Sequence, residues 1–554
     1  MFKHSLIALI VVAASTGAIS GPHKPISLEP IGSYATGMFD EGAAEIVAFD
    51  ASTHLVFVIN AAAKTVEALS IADPTTPSFA FEIDVAEDLP AGGGINSVAV
   101  SRGLVAVAVE NADKQSNGWI AVYDTAGNFL KDFEAGALPD MVTFTPNGQY
   151  ILGANEGEPS DDYSNDPEGS ITVVDIRRGV MRGKARQATF ASFNGKAPEG
   201  VRITGPNASV AQDLEPEYIA VAPNSRTAWV TLQENNALAV LDIRRAKVKK
   251  LLPLGSKDHD AEGNGMDASN KDDAINIRNW PVQGLYMPDS IVAYQARGGM
   301  YLITGNEGDA REYAYETDAA NCPSSSQAPF YEYVDGECIY IDEARIKDVE
   351  LGAAFHDAIS LQKEENLGRL KIVATEGLNA DGKYEALYSF GARSFSIWDP
   401  RGNLVFDSGD QFEQITADAL QDGFNSTNDE NDSFDDRSDD KGPEPEGVTI
   451  GKVRGRTYAF IGLERVGGIM VYDVTHPRKV RFITYVNNRD FNPELVAEDE
   501  VANGIDSQIG DLGPEGLVFI PQHDSPNGKP LLVVGNEVSG TTTVYQIDSQ
   551  RRWK

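Results

Sequence analysis

The chain is 554 residues long and carries 83 Asp and Glu against 46 Lys and Arg, a formal charge of −37. With 42% hydrophobic and 8% aromatic residues it has enough apolar material for a sizeable core, which excludes global disorder. So acidic a chain lacks the clustered basic residues that phosphate backbones and anionic lipids require, so nucleic acid is not an expected partner and divalent cations are. Two cysteines rule out a disulfide-built scaffold and a four-thiolate metal site.

At the start, Lys3 and His4 precede an apolar run from Ser5 to Ala14, and Ala18-Ile19-Ser20 stands before Gly21. This order predicts a signal peptide over 1–20 and a single mature domain over 21–554, secreted or periplasmic. The run is too short to span a bilayer, and no other stretch reaches about 18 apolar residues, so no membrane span is expected in the mature chain. In an oxidising compartment Cys322 and Cys338 are the available disulfide pair.

One pattern then recurs: an apolar strand, a turn, a second apolar strand, and a third ending in Asp or a polar residue. It begins with Ala44–Phe49 and Leu55–Asn60, and continues through Asn96–Val100, Leu104–Val109 and Trp119–Asp124. The third copy is Pro139–Phe144, Tyr150–Ala154 and Ser170–Asp175, and the fourth Pro216–Val221, Thr227–Leu232 and Ala237–Asp242. The fifth is interrupted, with Pro288–Val292 and Tyr301–Thr304 resuming at Ser394–Asp399. Two more start at Pro445 and Pro514. Short Val/Ile/aromatic runs in units of about 40 residues or more predict an all-β fold, a seven-bladed β-propeller closed by a strand near Ser33-Tyr34-Ala35. Two stacked β-sandwiches are the alternative. Long loop insertions are expected at about 255–282, 310–385 and 408–443, and Ile341 to Leu361 is the main helical candidate.

In a propeller blade the first strand is innermost and the second runs antiparallel beside it. The start of the first and the end of the second therefore share one face near the channel. Acid recurs at both points: Glu45, Asp140, Glu217, Asp289, Glu446 and Glu515 open first strands, while Glu110, Glu156, Glu234, Glu307, Glu464 and Glu537 close second strands. Carboxylates gathered on one rim repel unless cations or protons compensate them, and hard oxygen donors select Ca²⁺, Mg²⁺ or Mn²⁺. Glu156, Glu217, Glu307, Glu446, Glu515 and Glu537, with the neighbouring Asp309, are the expected rim ligands for a divalent metal, calcium foremost.

Two insertions add acid. Asp267-Ala268-Ser269-Asn270-Lys271-Asp272-Asp273 has the order of a calcium loop without the central Gly and distal Glu of an EF-hand, which makes Asp267 and Asp272 candidate ligands. His259, just upstream, is the only histidine inside an acidic cluster. The run from Asn431 through Asp439 to Glu446 feeds into the sixth repeat, and Asp439 is a further candidate ligand. Phe434 and the Pro-Glu-Pro-Glu stretch are expected to order this run against a strand.

The stretches Ala154-Asn155-Glu156-Gly157-Glu158, Asp267-Ala268-Ser269, Asn306-Glu307-Gly308-Asp309-Ala310-Arg311-Glu312-Tyr313 and Phe434-Asp435-Asp436-Arg437-Ser438-Asp439-Asp440-Lys441-Gly442-Pro443-Glu444-Pro445-Glu446 resemble the bacterial choice-of-anchor I proteins. That group is similar to mesenchyme-specific cell-surface glycoproteins of biomineralising animals, and some bacterial relatives are described as atypical alkaline phosphatases. The resemblance covers nearly the whole mature chain. It implies an exported propeller with calcium or phosphate handling as its themes.

The usual phosphate-loop, dinucleotide, zinc-protease and serine-hydrolase signatures are absent from the sequence. A cation-binding extracellular binding or scaffold module is therefore the expected function. The alternative is a metal-dependent phosphomonoesterase, with Arg311, Arg393 and Arg465 as candidate phosphate-holding residues and no assigned nucleophile. Phosphate esters or extracellular surface components are the partners that would go with these readings.

Overall fold

The computed structural model describes residues 26–323, 331–492 and 509–549. The expected signal peptide, 1–20, lies outside them. Each β-rich repeat pairs with its own sequence neighbours, because turns such as Pro146-Asn147-Gly148 return the chain at once and period-2 or continuous apolar runs then find a partner. The third repeat is representative. Pro139–Phe144, Tyr150–Asn155, Ser170–Asp175 and Lys184–Thr189 form one antiparallel sheet in that order. Its second strand is buried along its whole length, packed on both faces, whereas its outermost strand is largely exposed.

Seven such four-stranded sheets occur among the described residues. Their innermost strands touch in succession, and the last, Pro514–Ile520, returns to pack beside the first, Val47–Asp50, so the sheets close into a ring. The seventh blade is completed by Ser27–Ala35, antiparallel to Thr541–Asp548 with Ser27 opposite Asp548. The expected propeller and its closing strand are thus both present. The core is divided into layers between blades, as where Phe57, Ile59, Val107 and Tyr123 meet between the first two.

The insertions depart from the repeat. The second carries a small sheet of Glu312–Glu316, Glu337–Ile341 and Tyr331–Val334, stapled by the Cys322–Cys338 disulfide. The helix expected over Ile341 to Leu361 does not form. That stretch is a short strand Glu343–Arg345 paired with Lys371–Val373, a 3-10 turn Ile346–Asp348, and one helical turn Ala358–Leu361. Ile346 packs with Trp280, Leu367 and Ile372, and the Ile346 and Val349 carbonyls accept from the Gln362 side chain instead of from a helical ladder. Among the described residues the longest helix is Gln411–Leu420, in the third insertion. The acidic run after it is ordered, but Phe434 is exposed and does not anchor it. Buried Ser433, Asp435, Ser438 and Asp439 do.

Candidate cation site at the channel mouth

Five of the inner strands start at or just after a Pro followed by an acid, Pro139-Asp140, Pro216-Glu217, Pro288-Asp289, Pro445-Glu446 and Pro514-Glu515, and in blades three, six and seven the pairing slips just after that point, between Pro139 and Val142, Pro445 and Val448, and Pro514 and Leu517. Such bulges re-aim a side chain, and here they place the acid at the channel. In blades six and seven the next residue is glycine. A Cβ on Gly447 would collide with the Glu515 carbonyl oxygen, and one on Gly516 with that of Glu45, so adjacent blades approach too closely for any side chain. At the other end of the hairpin, Asn155, Asn306 and Asn536 are buried with their amides donating to hydroxyls in the neighbouring strand, which fixes the Glu that follows each.

The result is a cavity of about 460 Å³ at the channel mouth. Eleven of the twelve recurring carboxylates line it, the exception being Glu110, which instead accepts from the Gly94 amide at 2.7 Å. Glu158, Glu215 and Asp309 also face it, against Lys441 and Arg465 as its only basic lining residues.

The charge is unevenly compensated. On one side Glu307, Glu444 and Glu464 bring carboxylate oxygens within 4.8 Å of one another, but basic groups thread between them. Lys441 Nζ lies 2.8 Å from Glu307 and 3.3 Å from both Asp309 and Glu444. Arg437 Nε donates to Glu444 at 2.7 Å, and Arg465 Nε sits 3.0 Å from Glu464. Burial works to raise the Glu444 carboxyl, yet Arg437, Lys441 and Arg465 outweigh it and hold the group down at about 2. On the other side Glu45, Glu515 and Glu537 also converge within 4.8 Å, and among the described residues none of them has an ion pair. Burial, followed by Glu537 and Asp140, pushes the Glu45 carboxyl up to about 8, and burial with Glu45 and Glu537 raises Glu515. Oε2 of Glu515, and of the 7%-exposed Glu217, is buried without a hydrogen-bond partner. This half of the cavity offers carboxylate oxygens that form no ion pair, Arg465 acting on Glu537 only at a distance, and such oxygens are the donor set a hard divalent ion takes.

Of the expected metal ligands, Glu156, Glu217, Glu307, Asp309, Glu446, Glu515 and Glu537 meet at this cavity. Three do not. Asp439 is committed to Arg345 at 2.6 Å and Arg369 at 2.9 Å. Asp267 and Asp272 fold with the third insertion, where Asp267 caps its own loop through the Asn276 and Ser269 amides. His259 is buried, its Nδ1 against the Asn264 carbonyl, and burial depresses its proton affinity. Two of the three phosphate-holding candidates are corrected by the structure. Arg311 is buried with its donors spent on Asp213, Glu215 and Thr204. Arg393 is buried between Glu413 and the carbonyls of Asp267, Ser438 and Asp440. Only Arg465 reaches the cavity. Lys441 and Glu215 were not anticipated. A signal for Glu215 existed, since Glu215-Pro216-Glu217 repeats the Glu444-Pro445-Glu446 motif, and in each the first Glu is held by arginine.

The choice-of-anchor I domain matches residues 45–477, from the first rim acid to the sixth blade. The chain belongs to the choice-of-anchor I family. Among curated relatives of this choice-of-anchor I protein, Gigasin-3a of Magallana gigas is 30% identical over 193 residues, 34% of this chain and 67% of that one. The mesenchyme-specific cell surface glycoprotein of Strongylocentrotus purpuratus is 30% identical over 295 residues, 49% of this chain. The chain spans only 36% of the length of that second relative. Among solved structures, the WD40 domain of Toxoplasma gondii coronin is 10% identical with a TM-score of 0.45, covering 96% of this chain and 88% of that one. Kuenenia stuttgartiensis hydrazine synthase is 13% identical with a TM-score of 0.42, covering 92% and 98%. The propeller assignment rests on strand pairing and ring closure. Among the described residues no helix is long and apolar enough to cross a membrane.

Proposed function

We propose that this choice-of-anchor I protein is an extracellular or surface binding module whose channel mouth takes up divalent cations, Ca²⁺ foremost. One observation carries the reading: Glu45, Glu515 and Glu537 converge within 4.8 Å in the cavity, and among the described residues none of the three has an ion pair. A cation there replaces protons on the raised carboxyls, so uptake is coupled to proton release. The printed name of one relative, a cell surface glycoprotein, and the Cys322–Cys338 disulfide support an extracellular or surface location. A bound ion with open coordination would present the cavity as a docking point for acidic or phosphate-bearing surface components. The phosphomonoesterase reading keeps a single arginine at the cavity, Arg465, itself held by Glu464, and no observation favours it.

The test is calorimetric titration of the mature protein with Ca²⁺ in two buffers of different ionisation enthalpy at pH 7.5. Saturable binding with proton release is expected. Absence of binding heat in both buffers for Ca²⁺, Mg²⁺ and Mn²⁺ overturns the reading.

A further inference from the structure

Away from the channel, where the first and third insertions meet, two buried oxygens have no partner. Asp435 Oδ2 and Asn425 Oδ1 neither hydrogen-bond nor reach solvent, and their residues are 3% and 0% exposed. Ser438 joins the two side chains: its Oγ donates to Asp435 Oδ1 at 2.5 Å and accepts from Asn425 Nδ2 at 2.8 Å. The Ser438 hydroxyl is thereby used in both directions, and the two oxygens are left without a donor. Leaving such atoms buried and unpaired is costly, so an occupant is called for.

Asp267 of the first insertion, 1% exposed, lies near enough for its charge to act on Asp435. Arg393 holds the two insertions in this relation, donating to the Asp267 carbonyl at 2.5 Å and the Ser438 carbonyl at 2.8 Å. Its charge does not serve Asp435, because it is spent on Glu413 at 2.6 Å. Burial first, then Asp267, Asp272 and Glu413, push the Asp435 carboxyl up to about 8, and burial lifts Asp267 to about 7. Among the described residues neither Asp267 nor Asp435 has an ion pair.

We propose that a divalent cation of the Ca²⁺ type binds between Asp267 and Asp435, with the Asn425 carbonyl oxygen as neutral donor, and clasps the first insertion to the third. Ca²⁺ suits the set because it accepts six to eight oxygens in irregular geometry and completes its shell with water. The clasp is separate from the channel mouth and does not rest on the reading given for it. Its consequence reaches the cavity all the same, since Lys441 stands three residues after Ser438 on the segment that the clasp would fix.

Hydrogen exchange on the mature protein, with Ca²⁺ or with chelator, tests this. A local opening that releases the ion should slow by 1 + [L]/Kd, about tenfold at ten times Kd, over residues 264–276 and 424–438. The same protection should persist in a Glu45→Gln/Glu537→Gln variant, which is altered only at the channel, and vanish in Asp435→Asn. Asp435 has φ 66°, a left-handed conformation that Asn tolerates well, so this variant should fold. It should also melt higher than wild type in chelator, because one of the neighbouring charges is gone. If wild-type exchange at these segments is indifferent to Ca²⁺, a proton and not a metal satisfies Asp435, and the proposal fails. Protection that survives in Asp435→Asn overturns it equally.

Discussion

Lys441 Nζ lies 2.8 Å from Glu307 Oε1, joining the third insertion to the end of the second strand of blade five. The same carboxylate accepts from Gln233 Nε2 of blade four at 3.1 Å, so one side chain gathers three parts of the chain at the channel. Burial raises the Glu307 carboxyl and Lys441 works against that rise. An acidic loop of this length would otherwise be repelled by the rim it covers. The lysine turns repulsion into attachment.

Replacing Lys441 by Met leaves Glu307 and Glu444 short of a counter-charge in a buried place. A loss of about 3 kcal/mol is expected at pH 8, as for a buried pair with one partner removed. In a chain of this size that is a fall of a few degrees in melting temperature. At lower pH the loss should shrink, because burial holds the Glu307 carboxyl above its usual range and brings it closer to taking a proton. Thermal melts of both proteins at pH 8 and at the lower pH decide it; equal losses at both would remove Lys441 from its assigned role.

Without divalent ions the fold should weaken as pH rises. Burial and neighbouring acids lift Glu45 to about 8 and, with burial again the larger effect, Asp140 and Glu234 to about 7. Carboxyls whose proton affinity is higher folded than unfolded stabilise fully below pH 4, and that contribution is lost as pH climbs through 7 to 8. Glu444, held at about 2, acts in the opposite sense and loses its contribution only as pH falls through that value. Melting temperatures in chelator should therefore fall between pH 6 and pH 9. A flat profile would show that the rim acids are solvated like surface groups.

Ca²⁺ at one hundred times Kd should add about 2.7 kcal/mol per site, again a few degrees. Sodium chloride at matched ionic strength should reproduce little of this if the ion is bound and nearly all of it if charges are merely screened. Glu45→Gln/Glu537→Gln should lose the channel-mouth part of the Ca²⁺ shift while melting higher than wild type in chelator.

Gly447→Ala tests how the blades position these acids. The new methyl would meet the Glu515 carbonyl oxygen, so the sixth and seventh blades must separate. Overpacking of this kind costs about 1–3 kcal/mol, and because it displaces Glu515 it should also weaken Ca²⁺ binding. Ala at Gly455, an exposed turn with open space around it, is a control for general loop effects, although its φ of +79° carries its own backbone strain.

The propeller was legible because its units are local. Pro139–Phe144 pairs with the strand that follows it, and the Asn-Glu pairs at 155–156, 306–307 and 536–537 mark where second strands end. A period of two along a strand and a fixed hairpin are enough to send Glu156 and Asp140 to the same face. The arginines were not legible. Arg311 meets Asp213 and Glu215 from about a hundred residues earlier, and nothing near it in sequence distinguishes a buried structural guanidinium from one awaiting phosphate. The missing helix has a similar cause. Ile346 and Val349 stand three residues apart, as on one helix face, but Trp280, Leu367 and Ile372 give Ile346 its burial instead.

The pairing of Ser27–Ala35 with Thr541–Asp548 also dictates a timetable. Six blades each draw their strands from one stretch of the chain, with only blade five spanning a long insertion between Asn306 and Ser394, and each is complete before the chain ends. The seventh waits for the two extremes of the chain, a separation that makes its closure the slowest contact to form. Until then the edge of one terminal strand stands open to any extended neighbour, including another copy of itself. The first strand of the ring is thus the last to be satisfied, and the ring closes all at once, at the end.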